Sequence, residues 1–546
     1  MKSHHTSLFI VAGCLLCGTA LCQEKDPAAT LRQDDSNRVV NQNQGQSLAD
    51  IARGLRKDHT ATVQTTAEDA KKLFSAVDEI IDFAATDTGF PKRANVKRRL
   101  IGKDEVEKYI RTQEGKEEYA QRLVRSEMTM KKFGFLPRDF NLRDFLVKAA
   151  GQDVAAYYDE DTKTVSLLNW VPYDKQQPII AHELTHALQD QNYDLKAWMK
   201  GSQAPSPGGE PGKNQSADND ETMDARRAVV EGQAMVVLVD YLLAPLGRTV
   251  QNTPGLIYQM EEPAVKAVID SELLHNAPMV LRETGTFPYR EGLIFEGELL
   301  QHGGKQMAFA GPFLRPPATT HEVMDPRAYI EREKLMPVKI PDLRQLLGAN
   351  YELYDSGTVG ELDVRALLEQ YGRRTVAQEL APAWQGGAYV IFRRTEKTVA
   401  STDLPKTADL SLLYVSRWKS PETARRFARL YSATVAQRYQ SVSPLTAEPC
   451  TSAKCAVTTT QFSTEEGPVL IEQWQDNSVT ISESFDATTA AKLVGAVRDG
   501  APGVQSDNLQ NGEIGLRLYE FPGFTAFQAE IGAAITDSLA EMLAER

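Results

Sequence analysis

The stretch Pro178-Ile179-Ile180-Ala181-His182-Glu183-Leu184-Thr185-His186 decides how the rest of this chain is interpreted. On a helix, residues four apart lie on the same face about one turn apart, so His182 and His186 can direct imidazole nitrogens at one ion. Glu183 lies about 100° around the helix from His182, where its carboxylate can reach a water on that ion without being a ligand. Pro178 suits the first turn of such a helix. The apolar residues of a partly buried helix follow at the right spacing: Ile179, Ile180, Leu184 and Leu188.

Two histidines and a glutamate in this pattern predict one zinc ion per chain. Zinc favours imidazole ligands, and an open coordination position lets it lower the pKa of a bound water from about 15.7 towards roughly 7. Glu183 is then the expected catalytic base, which takes a proton as the water attacks a carbonyl and returns it to the leaving amine. A chance match to the pattern usually lacks a helical context, which the surrounding residues supply here.

A catalytic site of this type needs a third protein ligand, and two common arrangements can be tested in the sequence. One needs a glycine and a histidine three and six residues after His186, where the chain has Gln189 and Asn192, so it is excluded. The other takes a glutamate from a following helix, and Glu231 lies among the apolar and small residues of Ala228–Ala234. A glutamate on an apolar helix face is costly to bury unless it is paired or ligating. A solvent-facing glutamate at a helix edge is the alternative.

The segment His182–Asp190 resembles the active-site helix of thermolysin-type zinc peptidases, the gluzincins, and Glu231 is similar to the third ligand of their smaller members. The resemblance covers only residues 150–245 or so. It implies a zincin-like catalytic domain that hydrolyses peptide bonds in a protein or peptide substrate. The chain departs from thermolysin in having Met235 where an aspartate would be expected, and this leaves Asp190 as the alternative carboxylate for orienting a histidine.

The tetrahedral intermediate of such a reaction needs a hydrogen-bond donor for its oxyanion. Gluzincin-like enzymes often take that donor from a tyrosine or histidine downstream of the third ligand. Tyr289 is the first candidate for this catalytic role and His321 the second, and a structural role is the alternative for each. Both lie in segments, Phe287–Phe295 and Pro316–Glu322, that resemble motifs of uncharacterised bacterial His-Glu-x-x-His proteins.

The patterns along the chain predict an α+β fold. Val154–Tyr158, an acidic turn and Thr164–Leu168 have the pattern of a β-hairpin immediately before the metal motif. Helical spacing dominates 66–150, where the basic cluster Lys97–Arg99 is interpreted as a solvated helix end, and it dominates again from Glu221 to about Tyr371. From Ala381, short strands alternate with helices. The expected units are a signal peptide (1–22), a disordered leader (23–65), a helical lobe (66–150), a mainly helical zinc metallopeptidase-like catalytic domain with a small β-sheet (151–380) and a C-terminal α+β domain (381–546).

The N-terminus predicts export from the cytoplasm. Lys2 is followed by an apolar run from Leu8 to Cys22 and then by polar residues, which is the form of a secretory signal peptide. Val11–Cys14 resembles a lipobox, but the apolar run continues past Cys14, which favours a secreted or periplasmic product over a lipid-anchored one. The sequence predicts no membrane span after signal removal. Cys450 and Cys455 then form the expected local disulfide.

The charge composition of the chain limits the classes of molecule that it can bind. The formal net charge of −13 argues against nucleic acid or an anionic membrane. Together, the metal motif and the signal peptide make a secreted zinc metallopeptidase the leading hypothesis. The sequence does not determine the oligomeric state. A non-catalytic protein that retains zinc and a zinc hydrolase of non-peptide substrates are the alternatives. Glu183 favours an enzyme, because a purely structural zinc site is closed by four protein ligands and needs no base.

Overall fold

The computed structural model describes residues 66–102, 105, 117–150, 157–169, 173–201, 220–260, 275–395, 405–446, 455–499, 531, 532, 534–536, 538–540 and 542. The expected signal peptide, the expected leader and Cys450 lie outside these residues, as does most of the Gly/Pro-rich segment 201–220. Cys455 is disulfide-bonded.

The apolar spacing after residue 66 produces an amphipathic helix, α1 (Ala67–Thr88). The hydroxyl of Thr66 accepts a hydrogen bond from the Asp69 N–H and caps its start. Gly89 ends the helix in the left-handed conformation, with φ of 75°. Its buried apolar face includes Leu73, Val77, Ile80 and Ile81.

The described chain up to Leu380 is mainly helical, with a small sheet near its beginning. The elements after α1 are β1 (Lys97–Ile101), α2 (Glu117–Phe133), α3 (Leu142–Ala150), β2 (Tyr157–Asp159), β3 (Thr164–Leu168), α4 (Tyr173–Tyr193), α5 (Leu195–Met199), α6 (Asp220–Leu243), α7 (Leu256–Gln259), α8 (Met279–Lys305), α9 (Gly311–Leu314), α10 (Thr320–Met324), α11 (Pro326–Glu331), α12 (Arg344–Leu347), β4 (Tyr351–Thr358), α13 (Glu361–Tyr371) and α14 (Arg374–Leu380).

The small sheet has the strand order β1-β3-β2. Strands β2 and β3 form an antiparallel hairpin. Strand β3 has the predicted bounds, whereas β2 includes Asp159, which was expected in the turn, and residues 154–156 of the predicted first strand lie outside the described residues.

Strand β1 joins β3 in parallel, with Arg99 opposite Ser166. The interpretation of Lys97–Arg99 as a solvated helix end is therefore wrong. Arg98 donates to both carboxylate oxygens of Asp78 on α1, at 3.1 and 3.0 Å, and Arg99 donates to the Ser166 hydroxyl at 3.0 Å. Partners distant in sequence hold this strand, so local spacing could not show it.

Helix α4 begins before the predicted position. It starts at Tyr173 and includes Pro178, which was expected in the first turn. The Gln176 side chain holds the end of β3 beside this first turn. Its Oε1 accepts from the Leu168 N–H at 3.1 Å, and its Nε2 donates to the Leu168 carbonyl at 3.0 Å.

Helix α6 is the central helix of this part of the fold and packs against α4 on one side and α8 on the other. Gly232 of α6 lies against the backbone of Gly292 on α8 so closely that neither position has room for a Cβ. Among the described residues, the segment Asp220–Leu246 is long and apolar enough to cross a membrane by length and composition, but 72% of its apolar window is buried inside the protein. Its surroundings are therefore those of a core helix.

The C-terminal part is built around a seven-stranded antiparallel sheet of order β4-β5-β6-β10-β9-β8-β7. Central strands β5 and β6 have apolar residues on both faces, because helices cover both sides of the sheet. For example, Tyr389 and Ile391 face the main core, whereas Val390 and Phe392 face a second cluster. The remaining elements are β5 (Trp384–Arg394), β6 (Leu410–Trp418), α15 (Pro421–Arg438), β7 (Val442–Leu445), β8 (Thr458–Thr464), β9 (Gly467–Gln473), β10 (Ser478–Glu483) and α16 (Ala487–Asp499).

The main apolar core contains residues of three expected units, namely the helical lobe, the catalytic domain and the C-terminal domain. The large sheet begins with β4 at Tyr351 and so extends across the expected boundary at Ala381. Helix α2, from the expected helical lobe, packs on the same sheet. Its buried Lys132 forms a 2.9 Å ion pair with Glu466, and its Thr129 donates to Asp355 of β4 at 2.5 Å. The described structure is thus a mixed α+β fold, and the described residues of 66–150 are an integral part of it.

Candidate metal centre

Two helices bring three metal-ligating side chains together. Helix α4 carries His182 and His186 one turn apart, and α6 carries Glu231. The His182 Nε2 lies 3.1 Å from the His186 Nε2 and 3.1 Å from the Glu231 Oε2, and the His186 Nε2 lies 3.4 Å from that same oxygen. His182 and Glu231 are buried and His186 nearly so. The structure therefore places the three residues predicted as ligands around one point.

The spacing of these atoms fits a small tetrahedral cation. Ligand atoms about 2.0–2.1 Å from a tetrahedral zinc ion lie roughly 3.3–3.4 Å from one another, close to the separations of 3.1–3.4 Å in the structure. Two imidazole nitrogens and one carboxylate oxygen are also the donor types of catalytic zinc sites that keep a fourth position open. His182, His186 and Glu231 could therefore hold zinc.

The charges of this cluster are strongly coupled. Burial raises the pKa of Glu231, but the imidazoles of His186 and His182 outweigh it and hold that pKa well below its ordinary value. Burial lowers the pKa of His186, but the carboxylates of Glu231 and Glu183 outweigh it and raise that pKa to about 9. Glu231 is therefore ionised and attracts positive charge to the point between the three side chains.

A glutamine, and not Asp190, orients one of the histidines. The His186 Nδ1 lies 2.9 Å from the Oε1 of Gln189, which fixes the ring with its Nε2 towards Glu231. The Nε2 of Gln189 in turn donates to the Val230 carbonyl and to the Oε1 of Gln233, each at 3.0 Å. This relay connects α4 to α6 beside the metal ligands. Gln189 was noted in the sequence only as a residue that excludes another ligand spacing.

Asp190 instead ties the hairpin to α4. It accepts hydrogen bonds from the Tyr158 hydroxyl at 2.8 Å and from the Lys163 ammonium at 2.5 Å, and its other oxygen accepts from the Leu195 N–H at 3.3 Å. The hypothesis that Asp190 orients a metal-ligating histidine is therefore wrong. Asp190 contributes to the site by holding the β2–β3 hairpin against α4, which carries the candidate ligands.

Glu183 occupies the position expected of a general base. One turn of α4 places it beside both histidines, and its Oε2 accepts a 2.7 Å hydrogen bond from the Tyr158 N–H at the edge of the small sheet. Burial raises the pKa of Glu183 in spite of the neighbouring imidazoles, which lower it. The carboxylate is thus held in one orientation by the backbone and is favourably placed to accept a proton.

The ligand set opens into a cavity of about 250 Å³. Tyr289 from α8 forms part of its wall, with its ring centroid 6.3 Å from that of His182. Burial raises the pKa of Tyr289 well above its ordinary value, so this residue keeps its phenolic proton at neutral pH. The apolar wall consists of Ile179, Leu195, Met199, Val230, Met235 and Leu238.

The second oxyanion candidate, His321, does not belong to this cavity. Its Nδ1 contacts the carboxylate of Glu361, and its Nε2 lies 3.5 Å from Glu333. Glu361 begins α13, which packs against α8 and α14. His321 is therefore a buried residue of an ion-pair cluster.

Several residues of the cavity wall were missed in the sequence, among them two charged residues and two from a distant segment. Arg227 lies four residues before Glu231 on α6, so helical spacing could have indicated it. Glu160, in the hairpin turn, lines the cavity and was interpreted only as part of an acidic turn. Gly532 and Thr536 come from a helical segment near the C-terminus. No local pattern connects that segment with a site some 300 residues earlier.

Comparisons with known proteins concern the large sheet rather than the metal centre. The family model of a domain of unknown function (DUF8575) matches residues 350–494, which run from immediately before β4 to within α16. This part of the chain is therefore similar to that domain. No curated protein and no solved structure matches the chain significantly.

Proposed function

We propose that this protein is a secreted or periplasmic zinc metallopeptidase with a gluzincin-like, zincin-type catalytic region, which binds one zinc ion per chain and hydrolyses peptide bonds of a protein or peptide substrate. The observation that carries the proposal is the convergence of the His182 Nε2, the His186 Nε2 and the Glu231 Oε2 within 3.4 Å of one another. Glu183 next to this cluster supplies a base that a structural metal site does not need.

Zinc, when bound to His182, His186 and Glu231, would polarise the substrate carbonyl and acidify a water molecule. Glu183 takes the proton of that water as its oxygen attacks the carbonyl carbon, and later donates the proton to the leaving amine. The hydrogen bond from the Tyr158 N–H to the Oε2 of Glu183 leaves the other carboxylate oxygen for this transfer. Tyr289, which keeps its proton, is the proposed donor to the oxyanion.

Two substitutions test the separate parts of this proposal. Glu231→Ala should abolish stoichiometric zinc binding, measured as metal content of the purified protein. Glu183→Gln should keep zinc but reduce kcat for casein or a peptide library by about 10²–10⁴-fold, the usual contribution of a general base. Glu379→Gln, at an exposed residue paired with Arg426, is the matched control and should change neither quantity.

Each of these measurements can contradict the proposal. Zinc content that is unaffected by Glu231→Ala would remove Glu231 from the site. Hydrolysis that is unaffected by Glu183→Gln would rule out the proposed mechanism. Full zinc occupancy in a wild-type protein without any hydrolytic activity would instead favour a zinc-retaining binding protein.

A further inference from the structure

Arg227 stands out among the residues of the cavity wall because, within the described residues, its guanidinium forms one long ion pair and no close hydrogen bond. It lies one turn before Glu231 on α6, and its side chain is only 23% exposed. Its Nη2 lies 3.5 Å from the Oε1 of Glu231, which is too distant for a strong hydrogen bond. Its Nε is buried and, within the described residues, has no hydrogen-bond partner.

Other buried arginines with an unpaired Nε use their remaining N–H groups differently. Arg226 donates from its Nη1 to the Trp198 carbonyl, and Arg438 forms bonds of 2.9 and 2.8 Å with the carboxylate of Glu483. For Arg227, the described part of the chain shows the ion pair with Glu231 and weaker electrostatic effects on the carboxylates of Glu160 and Asp224. A guanidinium has five donors, and a buried donor that stays unsatisfied is destabilising. Donors left open in a cavity wall are therefore suited to a ligand.

The position of Arg227 indicates which part of a substrate it would meet. Its Nη2 is nearest the Oε1 of Glu231, whereas both histidines face the Oε2, and its side chain lines the same cavity. It is also close enough to Tyr289 for its charge to lower the pKa of that phenol, against the larger effects of burial and Glu231. Arg227 and Tyr289 both line the cavity into which His182, His186 and Glu231 open.

We propose that Arg227 contacts the substrate carbonyl oxygen during hydrolysis and, together with Tyr289, stabilises the negative charge that develops on it. This inference rests on the proposed peptidase function. As the bond forms between the water oxygen and the carbonyl carbon, the π-electron pair of the carbonyl moves to its oxygen and the water proton moves to Glu183. Arg227 keeps all its protons and donates hydrogen bonds to that oxygen, in a site of low polarity where such bonds are strong.

A phosphinic peptide, a stable anion with the tetrahedral geometry of the intermediate, provides the direct test. Its affinity for the zinc-loaded protein is measured by calorimetry for wild type, Arg227→Met, Arg227→Lys and the neighbouring control Arg226→Lys. Losing a hydrogen bond to a charged group should weaken binding by Arg227→Met about 10–100-fold. The affinity of Arg227→Lys for the phosphinic peptide should lie between those of Arg227→Met and wild type, and the affinity of Arg226→Lys should equal that of wild type.

Kinetics and zinc affinity distinguish this role from a structural one. In Arg227→Met, kcat/KM should fall about as much as the phosphinic peptide affinity, mainly through kcat, while zinc affinity, measured by competition with a chromophoric chelator, changes less than about threefold. The loss should be equal for substrates with a free and with an amidated C-terminus.

Three results would overturn the inference. One is an unchanged affinity for the phosphinic peptide. Another is a loss that parallels a loss of zinc affinity, since Arg227 would then act through Glu231. The third is a loss of kcat/KM in Arg227→Met that is confined to substrates with a free C-terminal carboxylate. A wild-type protein that binds zinc but hydrolyses nothing refutes the proposed function instead, and the phosphinic peptide affinities then decide by themselves whether Arg227 contacts a tetrahedral anion.

Discussion

The substitution Gly232→Ala tests whether the close crossing of α6 and α8 sets the geometry of the metal centre. A Cβ at residue 232 would lie 2.3 Å from the Gly292 carbonyl oxygen and 2.8 Å from its Cα, and neither backbone atom can rotate away. Real Cβ atoms essentially never lie closer than 3.0 Å to another heavy atom. To extend the 2.3 Å distance to this limit, the two helices must move apart by about 0.7 Å.

The expected loss of stability follows from two opposing effects. Overpacking of a tight contact costs about 1–3 kcal/mol, and the rigid backbone on both sides places this crossing at the upper end. Alanine is favoured over glycine in a helix by about 1 kcal/mol. We therefore expect Gly232→Ala to lower the free energy of unfolding by about 2 kcal/mol.

The same displacement should alter the candidate site. Glu231 precedes Gly232, and Tyr289 lies about one turn before Gly292 on α8. Separation of the helices by about 0.7 Å would move Tyr289 away from Glu231, and misplacement on this scale can reduce a catalytic rate about 100-fold. Gly232→Ala should therefore reduce kcat more than it reduces zinc content.

The control for this experiment is Gly495→Ala. Gly495 also lies inside a helix, α16, but a Cβ there would meet no heavy atom within 4 Å. Helix propensity then acts alone, and stability should rise by up to about 1 kcal/mol. The midpoints of thermal and urea unfolding should fall for Gly232→Ala and rise for Gly495→Ala. If Gly232→Ala is as stable as wild type and equally active, the crossing is not the constraint we infer.

Three further predictions concern other features. Gln189→Leu removes the acceptor for the His186 Nδ1 and should lower zinc affinity about 10–100-fold, measured by chelator competition. In Gly532→Leu, the added Cβ alone would lie 3.1 Å from the Tyr289 ring, and the rest of the side chain would displace that ring. We therefore expect kcat/KM to fall at unchanged zinc content. Glu296 is fully buried, its carboxylate has no hydrogen-bond partner among the described residues, and burial raises its pKa well above the ordinary value. Glu296→Gln should therefore stabilise the protein increasingly as pH rises.

The sign of the Glu296 effect follows from proton linkage. The folded protein keeps a proton that the unfolded chain releases above its ordinary pKa, so the contribution of this group is fully present below that pKa and is lost as pH rises towards the folded value. The wild type loses up to about 1.4 kcal/mol per pH unit in this window, and the glutamine variant does not. A constant stability difference from pH 5 to pH 8 would refute the assignment. Unchanged zinc affinity in Gln189→Leu, or unchanged kcat/KM in Gly532→Leu, would contradict the other two predictions.

The sequence alone determined the features that depend on neighbours a few residues away. The i, i+4 spacing of His182 and His186 requires only a helix, and the apolar runs of β5 and β6 require only burial on both faces. Glu231 was predicted as the third ligand because one alternative spacing was absent and because an isolated carboxylate among apolar residues is costly to bury. These inferences rest on periodicity and solvation, which act locally and are visible in the sequence.

Only the tertiary structure decided which distant residues meet. It paired β1 with β3 and added β4 to the large sheet beyond the expected boundary. It also assigned the orientation of His186 to Gln189 and not to Asp190, because the packing of α4 on α6 brings Gln233 to Gln189 while the hairpin occupies Asp190. Contacts of this kind are set by how whole elements pack, and no local preference of the residues encodes them.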